Sequence, residues 1–452
     1  MSSPEKKFDV AIIGGGPGGV EAAKVAGSLG ASVALIEQGK PGGRALWHSL
    51  VPSKVWLDAA NLIGNRQHMQ DIGLDVDSFD KNTSDLLDRL KKVKELENSK
   101  NVTEFEKHDI SVIQGAGKFT DEHTLKINDG EQTISADKFI IATGSVPIFP
   151  PDLKPDGKRI LAPRFMSDFD TVPESIIVVG GGVTGSETIY LFNRLGARVT
   201  AITDIDELLP RSDQDVSQEL ENIFVERGVE LRKNTPVKKI ENLGDSVKVT
   251  TADGSQFEAE YAFVAIGRKP DLANLALSST SIKHSEKEGI SVDDSCRTSV
   301  SHIFAIGDVA GPPMLANRAI SMGRVAAWNA VKAQDKTYKH KLAVEVVYTE
   351  PEVGQVGLNG ISAAEQGIQY STRIARYNQN LKANISSHRE GFLKLLLDES
   401  TKKILGASAV GYHAGDILAP IAVAIEAGLC LDDLLSISPA NPTLSELLVE
   451  TA

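Results

Sequence analysis

The sequence predicts an α/β chain in which strands and helices alternate over roughly the first two thirds, followed by an α+β segment. Three observations carry this expectation. A glycine-rich turn stands twice between a short apolar strand and a helical stretch, with Gly14 and Gly180 placed 166 positions apart. Strand-like and helical stretches alternate around both copies, the pattern of parallel sheets. Beyond residue 339 no such turn recurs.

The elements follow in order. Phe8 to Ile13 is a mostly apolar run rich in branched side chains, as a buried strand requires. Gly14-Gly15-Gly16-Pro17-Gly18-Gly19 follows, then a helical stretch to Leu29, an exit at Leu29-Gly30-Ala31 and a strand over Val33 to Ile36. The second copy runs from Ile176 to Val179, turns through Gly180-Gly181-Gly182-Val183-Thr184-Gly185, and continues as a helix through Leu195. It exits at Leu195-Gly196-Ala197 into a strand over Val199 to Ile202. In each copy the first glycine (Gly14, Gly180) suits the tight turn, and the second (Gly16, Gly182) lets backbone approach a diphosphate. The third (Gly19, Gly185) permits close helix packing, and the helix N-terminus faces the phosphates. The expected fold class is therefore two Rossmann-like dinucleotide-binding domains plus a C-terminal α+β domain.

Glu37 ends the second strand of the first copy, where a carboxylate accepts hydrogen bonds from an adenosine ribose. Thr203 holds the equivalent place in the second copy, followed by Asp204, Asp206 and Glu207. These carboxylates repel a 2′-phosphate and favour NAD, while Arg198 and Arg211 nearby leave NADP open.

At 452 residues the chain has room for about three domains. Its 41% hydrophobic and 24% charged residues exclude wholesale disorder and a membrane bundle. With 48 basic and 61 acidic residues the net charge is -13, which opposes nucleic-acid and anionic-membrane partners. The polar start, Met1 to Lys7, has no secretory character, so the cytoplasm is the expected location. Ile417 to Leu431 is broken by Pro420 and Glu426 and is too short to span a bilayer. The charged segment Asp80 to Lys107, with Leu86, Leu87, Leu90 and Leu96, reads as a solvated helix. Two cysteines, Cys296 and Cys430, form no CxxC or Cys/His cluster, so neither a disulfide framework nor a metal site is expected.

Five further segments carry a resemblance. They are Ile141-Ala142-Thr143-Gly144-Ser145, Ala265-Ile266-Gly267-Arg268-Lys269-Pro270, Ala305-Ile306-Gly307-Asp308, Met314-Leu315-Ala316 and Tyr348-Thr349-Glu350-Pro351-Glu352-Val353. With both glycine turns they make the chain resemble, nearly end to end, the flavoprotein pyridine nucleotide-disulfide oxidoreductases of the dihydrolipoamide dehydrogenase type. The resemblance implies an FAD-binding domain in two parts (1–148 and 269–338), an NAD(P)-binding domain (149–268) and an interface/dimerisation domain (339–452). It implies FAD and NAD as cofactors and a homodimer. Thr143, Gly144, Gly43, Gly267, Asp308, Met314, Leu315 and Ala316 fall at cofactor-binding positions, Asp308 on the flavin ribityl chain. Lys54 of Pro52-Ser53-Lys54 and Glu187 match the family's ion pair beside flavin N5, where a cation stabilises reduced flavin.

The family's CxxxxC disulfide follows a GG pair, here Gly42-Gly43, and Ala45 and Leu50 stand at the cysteine positions. Neither side chain supports thiol–disulfide exchange. The family's C-terminal His and Glu correspond to Asn441 and Glu446, and an amide does not cycle protons near neutral pH. Arg44, Trp47, His48 and Trp56 place bulk near the lost disulfide. An aromatic pocket there would stack a planar acceptor with His48 as proton donor, unless the two tryptophans pack the core. The leading expectation is an FAD-dependent NAD(P)H oxidoreductase passing electrons directly to a small-molecule, non-disulfide acceptor such as a quinone. A soluble pyridine nucleotide transhydrogenase and a non-catalytic FAD-binding scaffold or redox sensor are the alternatives.

Overall fold

The computed structural model describes residues 6–71, 73–74, 83–130, 132–167, 169, 172–332 and 335–451. The first five residues of the polar N-terminus and the start of the charged segment at Asp80 lie outside the described residues. Packing groups the chain into two units. The first comprises Met1–Pro52, Leu87–Ile148 and Gly267–His340, and the second Ser53–Leu86, Phe149–Ile266 and Lys341–Ala452.

The first unit is built on a seven-stranded sheet. Lys6–Ile13 lies between Val33–Glu37 and Gln132–Ile141, parallel to both, and Ser111–Gln114 extends the sheet beyond Val33–Glu37. Ile303–Ala305 pairs parallel with the end of Gln132–Ile141, returning a late segment of chain to the same sheet. Alternate residues of the central strand enter different cores, as a pleat demands. Val10 and Ile12 pack with Val33, Leu35, Phe304 and Met322, whereas Ala11 and Ile13 pack with Ala34, Ile36, Phe119 and Phe139. This two-sided burial explains why Phe8 to Ile13 reads as a nearly continuous apolar run. Helices Pro17–Ser28 and Ala316–Lys332 meet closely on the first of these faces. A Cβ on Gly18 would stand 2.8 Å from the Ala319 carbonyl oxygen, and one on Gly323 would stand 2.5 Å from that of Gly18.

The second unit holds a five-stranded parallel sheet in the order Glu230–Arg232, Arg198–Ile202, Ser175–Val179, Tyr261–Val264, Ile160–Leu161. A three-stranded antiparallel meander runs through Val237–Asn242, Val247–Thr251 and Gln256–Ala259. The C-terminal part is a five-stranded antiparallel sheet packed against helix Ala414–Ala427, the expected α+β arrangement. That helix contains Pro420, and no helix among the described residues is long and apolar enough to cross a membrane. The charged segment forms helix Thr83–Lys107, with Leu90 and Phe105 buried and Leu96 exposed.

One ion pair inside the second unit is unusually buried. Lys394, on strand Phe392–Asp398, is 7% exposed and stands 2.7 Å from Asp213 and 2.5 Å from Asp215 at the start of helix Gln214–Glu226. Removing the cation leaves two facing carboxylates, one of them desolvated. Lys394→Met is expected to lower stability by about 3 kcal/mol, read as a lower denaturant midpoint at unchanged slope.

Candidate functional site

The two glycine turns have the same geometry. Gly14 and Gly180 adopt φ +104° and +116°, and a Cβ on either would overlap a backbone carbonyl, that of Ala142 or Ala265. A Cβ on Gly19 would overlap the Gly14 carbonyl, and one on Gly185 the Gly180 carbonyl. At Gly16 and Gly182, by contrast, nothing lies within 4 Å of the added atom. These two glycines cap helices Pro17–Ser28 and Val183–Arg194, and neither helix start carries a side-chain cap. Open space at a helix N-terminus with uncapped amides fits a dinucleotide diphosphate in both places. Both helices also end alike. Gly30 and Gly196 sit at φ +88°, and Ala31 and Ala197 donate back to Ala26 and Phe192, closing a Schellman motif.

In the first unit the GG pair joins this turn. Gly42 N donates to the Gly15 carbonyl at 2.7 Å, and a Cβ on Gly43 (φ +56°) would lie 2.8 Å from Gly16 Cα. Glu37 is pinned by backbone, its Oε2 accepting from Gly15 N at 2.6 Å and its Oε1 from Gly39 N at 2.8 Å. Asp308 is gripped from another direction. Its Oδ2 accepts from the Ser145 hydroxyl at 2.5 Å, which in turn accepts from Arg268 Nε at 2.8 Å. Arg268 Nη2 also donates to the Ser145 carbonyl at 2.7 Å. Burial, then Arg44, lowers the Arg268 pKa, opposed by Asp308 and Asp271. Thr143 donates to the Asp271 carbonyl at 2.8 Å, and Asp271 N donates to the Gly144 carbonyl at 2.9 Å. Gly144 and Gly267 take φ +75° and +115°. Met314, Leu315 and Ala316 are partly buried where helix Ala316–Lys332 begins. Ser145 and Arg268 were visible in their motifs, but nothing local in the sequence assigned them to Asp308.

In the second unit Thr203 is buried and its hydroxyl accepts from Ile205 N at 3.4 Å, while Asp204 is exposed. The two arginines that left NADP open differ in placement. Arg198 begins strand Arg198–Ile202 at the end away from Thr203, and Arg211 pairs with Glu345 at 3.5 Å.

Lys54 and Glu187 meet in the second unit, brought together by helices Leu50–Gly64 and Val183–Arg194. Lys54 Nζ is 2.7 Å from both carboxylate oxygens of Glu187, which is 8% exposed. Tyr348 completes the arrangement. Its backbone N–H donates to Glu187 Oε1 at 3.0 Å, and its ring centroid lies 4.3 Å from Lys54 Nζ. Burial, then Glu352 and Glu187, pushes the Tyr348 phenol pKa up, so the ring stays neutral beneath the cation. In the sequence Tyr348 is marked only as the first residue of the Tyr348–Val353 motif.

In the segment after the GG pair, Ala45 lies on helix Gly43–Trp47, Leu50 opens helix Leu50–Gly64, and His48 is exposed between them. Contrary to the aromatic pocket expected from the sequence, the two tryptophans are committed to other contacts. Trp56 is 1% exposed, donates to the Met166 carbonyl at 3.0 Å and packs 6.2 Å from Phe169, so it belongs to the core. Trp47 donates to the Pro41 carbonyl at 2.9 Å with Lys40 Nζ 4.8 Å from its ring, and Arg44 pairs with Asp271 at 3.7 Å. Asn441 donates to Glu446 Oε1 at 2.6 Å, and Glu446 Oε2 accepts from Thr443 N at 2.9 Å. The Thr443 amide, then Asn441, holds the Glu446 pKa below the usual carboxylate range. Cys296 is buried, its thiol pushed up to about 12, and Cys430 caps helix Leu431–Leu435 with its Sγ 3.1 Å from Asp433.

Comparison with known proteins follows the same architecture. Residues 8–323 match the pyridine nucleotide-disulphide oxidoreductase family, and residues 343–452 match the dimerisation domain of that family. The dihydrolipoyl dehydrogenase of Staphylococcus aureus is 32% identical, covering 98% of this chain and 96% of its own. That of Halobacterium salinarum is 31% identical over 98% and 95%. Among solved structures, LpdA from Mycobacterium tuberculosis is similar with a TM-score of 0.91 and 29% identity, covering 99% of this chain and 98% of its own. The HOCl-induced flavoprotein disulfide reductase RclA from Escherichia coli shares the fold, with a TM-score of 0.86 at 24% identity over 98% of both chains. FAD and NAD(H) are the cofactors of the dihydrolipoyl dehydrogenase-like group.

The contrast between open and closed glycines is testable in the second turn. Gly182→Ala is expected to fold with unchanged thermal stability and to lose NADH affinity, because the methyl enters the diphosphate space. Gly185→Ala is expected to lose about 3 kcal/mol of stability, because its methyl meets backbone that cannot yield. Thermal unfolding and NADH titration of both variants separate the two effects.

Proposed function

This chain belongs to the pyridine nucleotide-disulphide oxidoreductase family, and from that premise we propose that it is an FAD-dependent NADH oxidoreductase serving a non-disulfide acceptor. A quinone or similar diffusible oxidant is the acceptor class we assign. One observation carries the reading: Lys54, Glu187 and Tyr348 stand assembled, while Ala45 and Leu50, which the resemblance aligns with the family's cysteines, carry no sulfur and both cysteines of this chain lie elsewhere. FAD, when bound, supplies a carrier that takes two electrons from a nicotinamide and yields them to an acceptor.

The residues divide the remaining work. The Gly14–Gly19 turn, Gly43, Glu37, Thr143, Gly144, Gly267, Asp308 and Met314–Ala316 are assigned to FAD, and the Gly180–Gly185 turn with Thr203 and Asp204 to NADH. Asp204, with Arg198 at the far end of its strand and Arg211 paired with Glu345, disfavours a 2′-phosphate and with it transhydrogenation between NADH and NADP+. Glu187 fixes the Lys54 ammonium through both oxygens, so the cation needs no reorganisation to stabilise developing negative charge. Its fixed position also counts against a purely scaffolding role. His48 is the candidate proton donor toward the acceptor. Asn441 and the ionised Glu446 are spent on each other and on Thr443, which suits a polar wall better than an acid–base pair. The dimerisation segment supports a homodimer.

Anaerobic reduction with NADH followed by addition of oxidants tests the proposal. Rapid reoxidation by benzoquinone with no turnover of lipoamide or glutathione disulfide is expected, and rapid lipoamide turnover would sink it. Lys54→Met is expected to slow flavin bleaching by NADH about 100-fold while NADH affinity changes little, measured by stopped flow. NADPH is expected to give kcat/KM at least about 10-fold below NADH, because a phosphate would face Asp204.

A further inference from the structure

Arg318 is the third residue of helix Ala316–Lys332 and is 2% exposed. Its Nη1 donates to the carbonyls of Gly311 at 2.7 Å, Pro313 at 3.0 Å and Gly307 at 3.2 Å, and its Nη2 to that of Ala310 at 3.5 Å. All four acceptors lie in the short segment 307–313 that bears Asp308.

The location is poor for a cation on two counts. Burial opposes the charge and lowers the guanidinium pKa, and the first turn of a helix presents its positive end. A Met of similar length would fill the space without a charge. What it would not supply is a planar fork of donors able to gather several carbonyls at once. The neighbouring Ala319 shows where this grip is delivered. Its carbonyl oxygen would be 2.8 Å from a Cβ on Gly18, in the first dinucleotide turn, and its own Cβ would be 2.9 Å from one on Gly307. The helix turn carrying Arg318 thus abuts both the glycine turn and the Asp308 segment within the first unit.

We propose that Arg318 is a positioning residue for FAD, fixing segment 307–313 so that Asp308 is presented to the flavin ribityl chain before the cofactor binds. The inference rests on reading Asp308 as a flavin-holding residue. Arg318 secures the backbone of this segment, and the Ser145–Arg268 pair secures the carboxylate. Loss of Arg318 therefore acts on the flavin half of the cofactor and spares the adenosine diphosphate half.

The full-length apoprotein provides the test. FAD affinity is read from flavin fluorescence, ADP affinity from calorimetry, and the bound flavin environment from its visible spectrum. Arg318→Met is expected to weaken FAD about 30-fold, to shift the flavin spectrum and to leave ADP within about 2-fold of wild type. Arg318→Lys, which keeps the charge and reaches fewer carbonyls, is expected to lose about 5-fold and carries the test if the Met variant does not fold. Unchanged FAD affinity, or parallel losses for FAD and ADP, would overturn the inference. Asp308→Asn separates its premise. If that variant weakens FAD and Arg318→Met does not, the inference alone fails, whereas an unaffected Asp308→Asn removes the reading of Asp308 as well.

Discussion

Backbone-to-backbone contact between helices Pro17–Ser28 and Ala316–Lys332 sets what the rest of the first unit can do. The absence of side chains at Gly18 and Gly323 lets the two helices approach until carbonyl oxygens stand where a Cβ would otherwise be. Interiors at this density do not absorb a methyl group without shifting backbone. Because the second helix follows directly on the Asp308 segment, the contact draws a turn near the start of the chain and a loop three hundred residues later against the same sheet. The parallel pairing of Ile303–Ala305 with Gln132–Ile141 completes that closure.

The second unit depends on a different kind of constraint. Lys54 and Glu187 are partly buried, and an ion pair in that position owes its persistence to geometry as much as to charge. Glu187 accepts twice from one ammonium and once from the Tyr348 amide, so the carboxylate has little freedom to rotate. The ring of Tyr348 occupies a further side of the ammonium. Such an arrangement fixes a positive charge in space without a mobile counterion, which is what an electrostatic role requires. Tyr348 follows strand Glu345–Val347 of the C-terminal sheet, so that sheet contributes directly to the placement of Lys54.

Much of the fold was legible because its signals are local. The glycine spacings at Gly14–Gly19 and Gly180–Gly185 state a strand, a turn and a helix within about twenty residues, and Gly30 and Gly196 announce both helix ends. The intact flanks of Ala45, Leu50 and Asn441 carry the resemblance by which they are read against the family's cysteines and histidine. What the sequence did not disclose are contacts made across it. Ser145 reaches Asp308 over 163 positions, and Arg268 reaches Ser145 over 123. Arg318 is closer to its acceptors, yet no periodicity marks an arginine that turns inward against loop carbonyls. Proximity in sequence also misled in the other direction. Arg198 stands five residues from Thr203, but a strand puts its two ends at opposite edges of the sheet. Trp56 looked available for stacking, and its indole is committed to Met166 and Phe169 instead.

The two thiols have a further consequence. Cys296 is buried with its thiol pushed up to about 12, and the sulfur faces the Met322 carbonyl. Cys430 is engaged with Asp433 at a helix cap. A thiolate is the form that peroxides and hypohalous acids attack, and its fraction at Cys296 is negligible at neutral pH. On the reading proposed above, electrons traverse this molecule without visiting sulfur. Oxidant exposure that converts a working cysteine to a sulfenic or sulfinic acid, and so silences a dithiol enzyme, finds no such target on this route. Durability under oxidative stress is then a by-product of an alanine and a leucine.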